Sequence, residues 1–441
     1  MNDTKNIVII GGGFAGTTLA QALERRVREP YRVILVSQES YTTFNPMLAE
    51  VVGASIFPEQ VIAPIRQMID KTRFIMATVT GIDLEHRIVH GSTLAGPADI
   101  PYEHLIFAFG TRANLALVPG MEQHALPLKL VGDAMFIRNR VLQRVAQIEL
   151  ETDPALRRRL GHFIVIGGGF SGVEVAGELA DFLKSALRYY PRVSREELQV
   201  SILQDGERLL PELPECLGRS AAASMSKRGI AVRLKSRAAK VDGGGVTLND
   251  GEYIDGATVI CTIGTRPNPL VAALGLPTQR GKLETEADMR VAGMQNLWAV
   301  GDCALIRNAV DGQFAPPTAQ FAVAEAEQLA RNLSAVILGR DTQPFWHTAK
   351  GQMATTGHMK GVAQVYGLRL SGLPAWLLWR AFYLMRMPTL GRKLRIFVEW
   401  TWSMFFSTDI THLRFTRTSE ADDPAHAVPL TAGAGLRRRI H

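Results

Sequence analysis

Along the first three hundred positions, short runs of apolar residues alternate with stretches in which apolar residues return every three or four positions. The runs at 7–10 and 32–36 are continuously apolar, the pattern of strands covered on both faces, and they predict parallel strands flanking a helix. Shorter β-like runs fill 74–109 and end at LIFAFGT. A helical period covers 129–150, and the charged link at 153–159 predicts a domain boundary. The alternation then restarts at Phe163, with a helix over 170–188, a strand over 199–203, a helix near 219–228 and β runs up to VICTIGT at 259–265. A further apolar strand, LWAVGDCA at 297–304, precedes APPTAQFAVAEAEQLARNL at 315–333, a helical period with proline at its predicted start. Such alternation predicts an α/β chain with parallel sheets.

Two of the strands run into the same loop, IVIIGGGFAG at 7–16 and FIVIGGGFSG at 163–172. Each reads G-x-G-x-x-G: Gly11, Gly13 and Gly16 around Phe14 and Ala15, then Gly167, Gly169 and Gly172 around Phe170 and Ser171. The first glycine permits the turn off the strand, the second lets backbone approach a pyrophosphate, and the third lets the helix pack closely on the strand. The helix N-terminus adds free N–H groups and the positive end of its dipole. One such loop is weak evidence. Two, each after an apolar strand, predict a chain that holds two dinucleotides.

Length and charge narrow the class. A chain of 441 residues exceeds what one core usually supports and predicts two or three domains. Cys216, Cys261 and Cys303 form no C-x-x-C pair, which argues against a disulfide framework or dithiol chemistry. No signal peptide is expected before the first strand, and no apolar stretch has the length of a spanning helix. From residue 360 onward twelve Lys or Arg stand against five Asp or Glu, an excess of seven that equals the +7 of the whole chain. Trp376, Trp379, Trp400 and Trp402 lie in the same region. Segments 374–387 and 392–406 mix broad apolar character with arginine, as an interfacial helix does, with tryptophan at headgroup level and arginine drawn to anionic lipid. Core or dimer-interface helices are the alternative. Interleaving of basic with large apolar residues argues against nucleic acid. His347, His358 and His412 lack metal-ligand spacing, so no metal is expected.

Taken in order, the first loop, FNPML at 44–48, LIFAFGT, GGGFSGVEVAGEL at 167–179, CTIGT, LWAVGDCA and PPTAQ at 316–320 resemble the two-dinucleotide flavoprotein reductases. With the basic, tryptophan-rich C-terminus, the chain most resembles the type II NADH dehydrogenases, single-subunit NADH:quinone oxidoreductases that pump no protons. The resemblance spans residues 5–415. It implies two Rossmann-like dinucleotide-binding domains, the second inserted in the first: an FAD domain from 1–115 and 275–350, and an NAD(P)H domain at 116–274. A C-terminal amphipathic helical membrane-association region at 351–418 and a disordered tail at 419–441 complete the expectation.

The resemblance also assigns residues. FAD falls to the first loop with Pro46, Gly110, Thr111, Gly301, Asp302, Thr318, Ala319 and Gln320. Asp302 would accept hydrogen bonds from ribityl hydroxyls, although an acid after a strand is also an ordinary turn or helix cap. Amides near Ala319, at a helix start fixed by Pro316 and Pro317, would face the flavin pyrimidine ring. NAD(P)H falls to the second loop with Gln204 and Gly264. Glu174 would lie near nicotinamide and flavin; on residue grounds alone it is an acid favoured by the helix dipole. Gln320 matches the first glutamine of the family's quinone motif. Glu174 and Gln320 are therefore the candidate catalytic residues.

Three positions depart from the pattern. Ser37 replaces the acid that would hold the FAD adenosine ribose, leaving Glu39 as the candidate. Gln204 replaces the matching acid of the NAD unit, beside Asp205 and Arg208, which leaves NADPH open as donor. Ala324 stands in place of the second quinone-motif glutamine. The expectation is a peripheral enzyme at the cytoplasmic face of a membrane that oxidises NADH through FAD and reduces a membrane quinone in a ping-pong cycle. Oligomeric state, including a homodimer, stays open. A soluble ferredoxin or rubredoxin reductase, and a non-catalytic membrane-bound NAD(H) sensor or scaffold, are the alternatives.

Overall fold

The computed structural model describes residues 4–387, 389–406 and 408–413. The tail expected at 419–441, and the last residues of the region before it, lie outside them.

The fully buried IVII run becomes strand Lys5–Ile10, an interior strand of a seven-stranded sheet. Across that sheet the order is Leu297–Ala299, His104–Phe107, Lys5–Ile10, Tyr31–Ser37, Arg73–Asp83, Ile88–Thr93 and Gly96–Pro101. The first five pair parallel and the last two antiparallel. The chain thus leaves this sheet and returns at Leu297. Between departure and return it builds a second, parallel sheet, ordered Ala125–Pro127, Thr258–Cys261, His162–Ile166, Gln199–Leu203 and Ile230–Arg233. Strands Thr111–Ala113 and Thr265–Pro267 pair antiparallel and join the two halves.

Each glycine loop leaves the C-terminal end of a strand whose two neighbours are reached by opposite routes. That is the switch point where open α/β sheets form crevices for ligands. Helix α1, Phe14–Glu24, follows the first loop. Short helix α2, Leu48–Val52, follows the FNPML segment, and α3, Val131–Leu150, matches the predicted 129–150 helix. Helix α4, Phe170–Ala186, follows the second loop, and α5, Ala319–Ile337, packs on α1. The start of α5 differs from expectation. The hydroxyl of Thr318 accepts from the Phe321 amide and caps the helix there, so Pro316 and Pro317 precede it.

The C-terminal region departs most from its sequence reading. It begins as a three-stranded antiparallel sheet, Gly351–Gly357, Lys360–Val365 and Leu368–Ser371, laid on α4, and only then forms α6, Leu373–Arg386, and α7, Leu390–Phe405. Trp376, Trp379 and Trp400 are almost wholly buried, and so is Arg380, while Trp402 is 58% exposed. Three of the four tryptophans therefore serve a protein core and not a headgroup layer. Trp379 and Trp400 pack in one cluster with α2, α3 and α4, so the α2 segment, which precedes residue 115, crosses to cover the second half of the molecule. Burying side chains of this size contributes roughly 2–3 kcal/mol each.

Candidate active site

The two glycine loops are built alike, to the level of single atoms. Gly11 and Gly167 hold φ of +118° and +113°, a region L side chains rarely adopt. A Cβ on Gly16 would lie 1.8 Å from the Gly11 carbonyl oxygen, and one on Gly172 the same distance from that of Gly167. These are packing glycines. A Cβ on Gly13 would meet nothing within 4 Å, and one on Gly169 only the Glu212 Oε1 at 4.0 Å. Nothing in the protein requires glycine there, whereas a dinucleotide lying against the backbone would. Neither α1 nor α4 has a side-chain cap or an acid in its first turn, so the first-turn amides remain for an anion.

The loop floors replace the missing acids by neutral braces. Thr42 Oγ1 donates to the Gly12 carbonyl at 2.7 Å, and the Ser37 hydroxyl lies under Gly12. Glu39 is exposed beyond the strand end. In the second unit Gln204 is buried and its Oε1 accepts from the Gly168 amide at 2.9 Å. Asp205 beside it is exposed, and the Arg208 guanidinium donates to the Pro211 carbonyl.

Around the first loop the distant motifs converge. Gly301, at φ +77°, approaches Ala15 so closely that a Cβ would lie 3.2 Å from that methyl. Thr111 Oγ1 lies 3.4 Å from Asp302 Oδ2, and Lys129 Nζ lies 3.5 Å from Thr111 Oγ1. Gly110 (φ +62°) and Gly264 (φ +75°) flank the strand pair that joins the halves. Pro46 opens a single helical turn beside Phe44, whose ring meets that of Phe14 edge-on at 5.4 Å. Thr318 is exposed, while Ala319 and Gln320 are half-buried at the start of α5.

Two partners were missed by the sequence. Glu325, one residue past the lost glutamine, is buried and its Oε2 accepts from the Gly301 amide at 2.8 Å, bracing the turn that presents Asp302. Burial pushes its carboxyl up to about 7. Its position one residue after Ala324, on the face of α5 toward Gly301, was the available signal. His347, set aside in the sequence for want of metal-ligand spacing, has Nε2 3.0 Å from the Gln320 amide nitrogen. Burial, with the nearby Lys350 charge, holds this imidazole below its usual range. A neutral ring nitrogen can accept from that amide and orient it.

Glu174 lies inside the protein. Its Oε1 accepts from the Thr355 amide at 3.3 Å and from Trp379 Nε1 at 3.2 Å, and burial raises its carboxyl well above the ordinary range. A chain of rings links it to the first loop: Phe14 to Phe44, Phe44 to Tyr383 at 5.7 Å, and Tyr383 to Trp379 at 4.6 Å. Among the described residues there is no group of His, Cys, Asp and Glu arranged to hold a metal.

A protein-family profile described as pyridine nucleotide-disulphide oxidoreductase matches residues 5–326. The chain belongs to that family. Across 411 residues this oxidoreductase is 30% identical to the demethylphylloquinone reductase NdbB of Synechocystis, covering 91% of this chain and 96% of the relative. It is 29% identical over 426 residues to the type II NADH:quinone oxidoreductase Ndh of Mycobacterium tuberculosis, covering 93% and 90%. Its fold matches the NDH2 of Plasmodium falciparum solved with NADH at a TM-score of 0.84, over 92% of this chain and all of that one, at 20% identity. The resemblance to type II NADH dehydrogenases, carried by the motifs, and the α/β fold it implied both hold.

Proposed function

We propose that this oxidoreductase oxidises NADH at the second glycine loop, holds FAD at the first, and delivers two electrons to a membrane quinone. The observation that carries this is the pair Gly13 and Gly169. Both sit at uncapped helix starts, and neither is needed by the protein's own packing.

The residues around the first loop fit FAD. Gly11, Gly13, Phe14, Ala15 and Gly16 would take the pyrophosphate, and Glu39 the adenosine ribose. Asp302, Gly301, Gly110 and Thr111 would take the ribityl chain, with Pro46, Thr318, Ala319 and Gln320 around the ring. Bound FAD supplies the two-electron chemistry that joins a hydride donor to a quinone. The protein's own part is positioning and electrostatics. Glu325 holds the Gly301 turn so that Asp302 stays in place, and the α5 amides offer positive dipole to a ring that gains negative charge. His347 holds Gln320 so that its amide can donate to a quinone carbonyl.

The second loop, with Gly167, Gly169, Phe170, Ser171, Gly172 and Gly264, would hold the nicotinamide nucleotide. Gln204 braces the loop from below and leaves Asp205 as the exposed acid, while Arg208 is tied to Pro211. A carboxylate there repels a 2′-phosphate, so NADH is preferred over NADPH. We divide the chain accordingly into an FAD half, a nucleotide half inserted in it, and a C-terminal region.

That region docks on the cytoplasmic face of a membrane. Met385, Leu390, Leu394, Phe397 and Phe405 are exposed on α6 and α7 beside exposed Arg386 and Arg395. Apolar residues ringed by arginine suit an anionic leaflet. Among the described residues no helix is long and apolar enough to cross a membrane. Purified protein should carry FAD, turn over NADH with a short-chain quinone faster than NADPH, and bind anionic vesicles. A colourless preparation in which neither nucleotide is oxidised would refute the enzymatic reading. A dimer in detergent that ignores vesicles would assign the apolar face to a second copy.

A further inference from the structure

Reduction of a quinone by NADH takes up a proton. The hydride brings two electrons and one proton, the hydroquinone needs two of each, and the second proton comes from water. Gln320 cannot supply it, because an amide is not an acid in this range. His347 is a poor store for it, because burial and the Lys350 charge lower the proton affinity of its ring.

A cluster of acids fills the junction of α2, α4, α6 and α7. Glu50 of α2 is 3% exposed; its Oε2 accepts from Trp400 Nε1 at 3.1 Å, and its Oε1 lies 4.0 Å from Arg380 Nη2. Glu178 lies one turn beyond Glu174 on the buried face of α4, and its Oε2 accepts from the Ser55 hydroxyl at 2.7 Å. Its carboxylate is pressed so closely under α2 that a Cβ on Gly53 would come within 2.4 Å of Oε2. Arg380, held over the rings of Trp376 and Trp400 at 3.9 and 4.8 Å, is the cation among them. Glu50 and Glu178 thus share one guanidinium in a buried space, and Glu174 beside them has no cation of its own among the described residues.

An enclosed group of that composition cannot keep every carboxyl charged, because each unpaired buried anion costs several kcal/mol, typically more than protonation does. Burial raises all three carboxyls, and each of Glu50 and Glu178 raises the next. The other groups facing them are Asp181 of α4, paired with Arg228 of the neighbouring Glu215–Lys227 helix, Tyr383 of α6, and His358 against Trp376. Strand Gly351–Gly357 contributes the Thr355 amide, and α7 the neutral Trp400. The half-buried Ser55 connects Glu178 toward the surface, and the ring chain from Phe14 to Trp379 places Glu174 at the inner end.

Resting on the NADH:quinone reading, we propose that Glu50 and Glu178 form a proton store that recharges Glu174, which passes the proton to a quinone oxygen while Ser55 admits its replacement from water. Each turnover breaks one O–H bond at Glu174, forms one at the quinone oxygen, and is completed by a proton moving from the pair to Glu174. Glu50 and Glu178 act through Glu174 and touch no substrate. They are positioning residues.

The test uses the full-length holoenzyme in anionic vesicles with a short-chain ubiquinone, comparing quinone turnover with ferricyanide turnover, which consumes electrons without protons. In Glu178→Gln and in Glu50→Gln, the quinone-to-ferricyanide ratio should fall about tenfold above pH 7 and recover as pH drops, with a larger solvent deuterium effect on quinone turnover. Glu178→Asp should restore part of the ratio. If one variant fails to fold, the other carries the test. An unchanged ratio and pH profile overturn the proposal, and so does an equal loss with both acceptors, which marks a structural role. Wild-type protein that reduces ferricyanide but no quinone would instead overturn the quinone reading itself.

Discussion

The second glycine of each loop offers a perturbation that separates ligand binding from folding. In Gly13→Ala the added methyl meets no protein atom within 4 Å, and φ −82°, ψ −167° is open to any residue. Replacing glycine by alanine at a helix N-cap costs about 1 kcal/mol. Restricting the unfolded chain returns about 0.4–1 kcal/mol, so the net change in stability is within ~1 kcal/mol. A pyrophosphate lying on that backbone would have to move. Overfilling a packed contact costs about 1–3 kcal/mol, which at 1.4 kcal/mol per factor of ten weakens binding by roughly 5- to 150-fold. Gly13→Ala should therefore unfold at the wild-type temperature once both proteins are stripped of flavin, yet bind FAD more weakly when titrated by flavin fluorescence. Gly169→Ala should keep its FAD and raise the KM for NADH over the same range. Gly16→Ala, whose methyl would lie 1.8 Å from a carbonyl oxygen, should not fold. Wild-type FAD affinity in Gly13→Ala would refute the reasoning, because no ligand could then be approaching that backbone.

Glu325→Gln keeps an acceptor for the Gly301 amide but removes a carboxyl that burial raises from 4.5 to about 7. A raised carboxyl contributes its full stability below pH 4.5 and loses it as pH climbs through 7, by up to roughly 3 kcal/mol. Thermal unfolding should show the variant gaining on wild type across that window, and a flat difference would contradict the assignment. Trp379→Phe keeps an aromatic ring but removes the Nε1 bond to Glu174 and part of the buried indole's volume; it should cost at least about 1–3 kcal/mol in denaturant melts, and an unchanged midpoint would show that neither the bond nor the packing contributes. Phe397→Glu with Phe405→Glu, both at exposed positions, should weaken binding to anionic vesicles at least about tenfold without altering the melting temperature; undiminished sedimentation with vesicles would move the membrane face elsewhere.

What the sequence carried and what it hid follow from the range over which each signal acts. The loops Gly11–Gly13–Gly16 and Gly167–Gly169–Gly172 were legible because their geometry depends on neighbours within six positions, and the return of the chain at 297 was legible as another apolar run. The position of Asp302 just past a strand end was legible. Its support was not, since the Gly301 amide finds Glu325 across 24 positions. The buried tryptophans were misread because an apolar period shows that a face is covered without showing what covers it. Lipid and α2 look alike in the sequence. Glu174 and Glu178, two acids one turn apart on the buried face of α4, were the visible trace of the buried cluster. Glu50, from 124 residues earlier, had no local trace of its partnership with Arg380 and Trp400.

Sequential anaerobic mixing tests the central claim, that one nucleotide is resident and the other passes through, most directly. NADH added alone should bleach the flavin absorbance of the purified protein at one equivalent, and a quinone added after NAD has been removed should restore it fully. Flavin that NADH leaves coloured, or colour that returns only when nucleotide and quinone are present together, would contradict it.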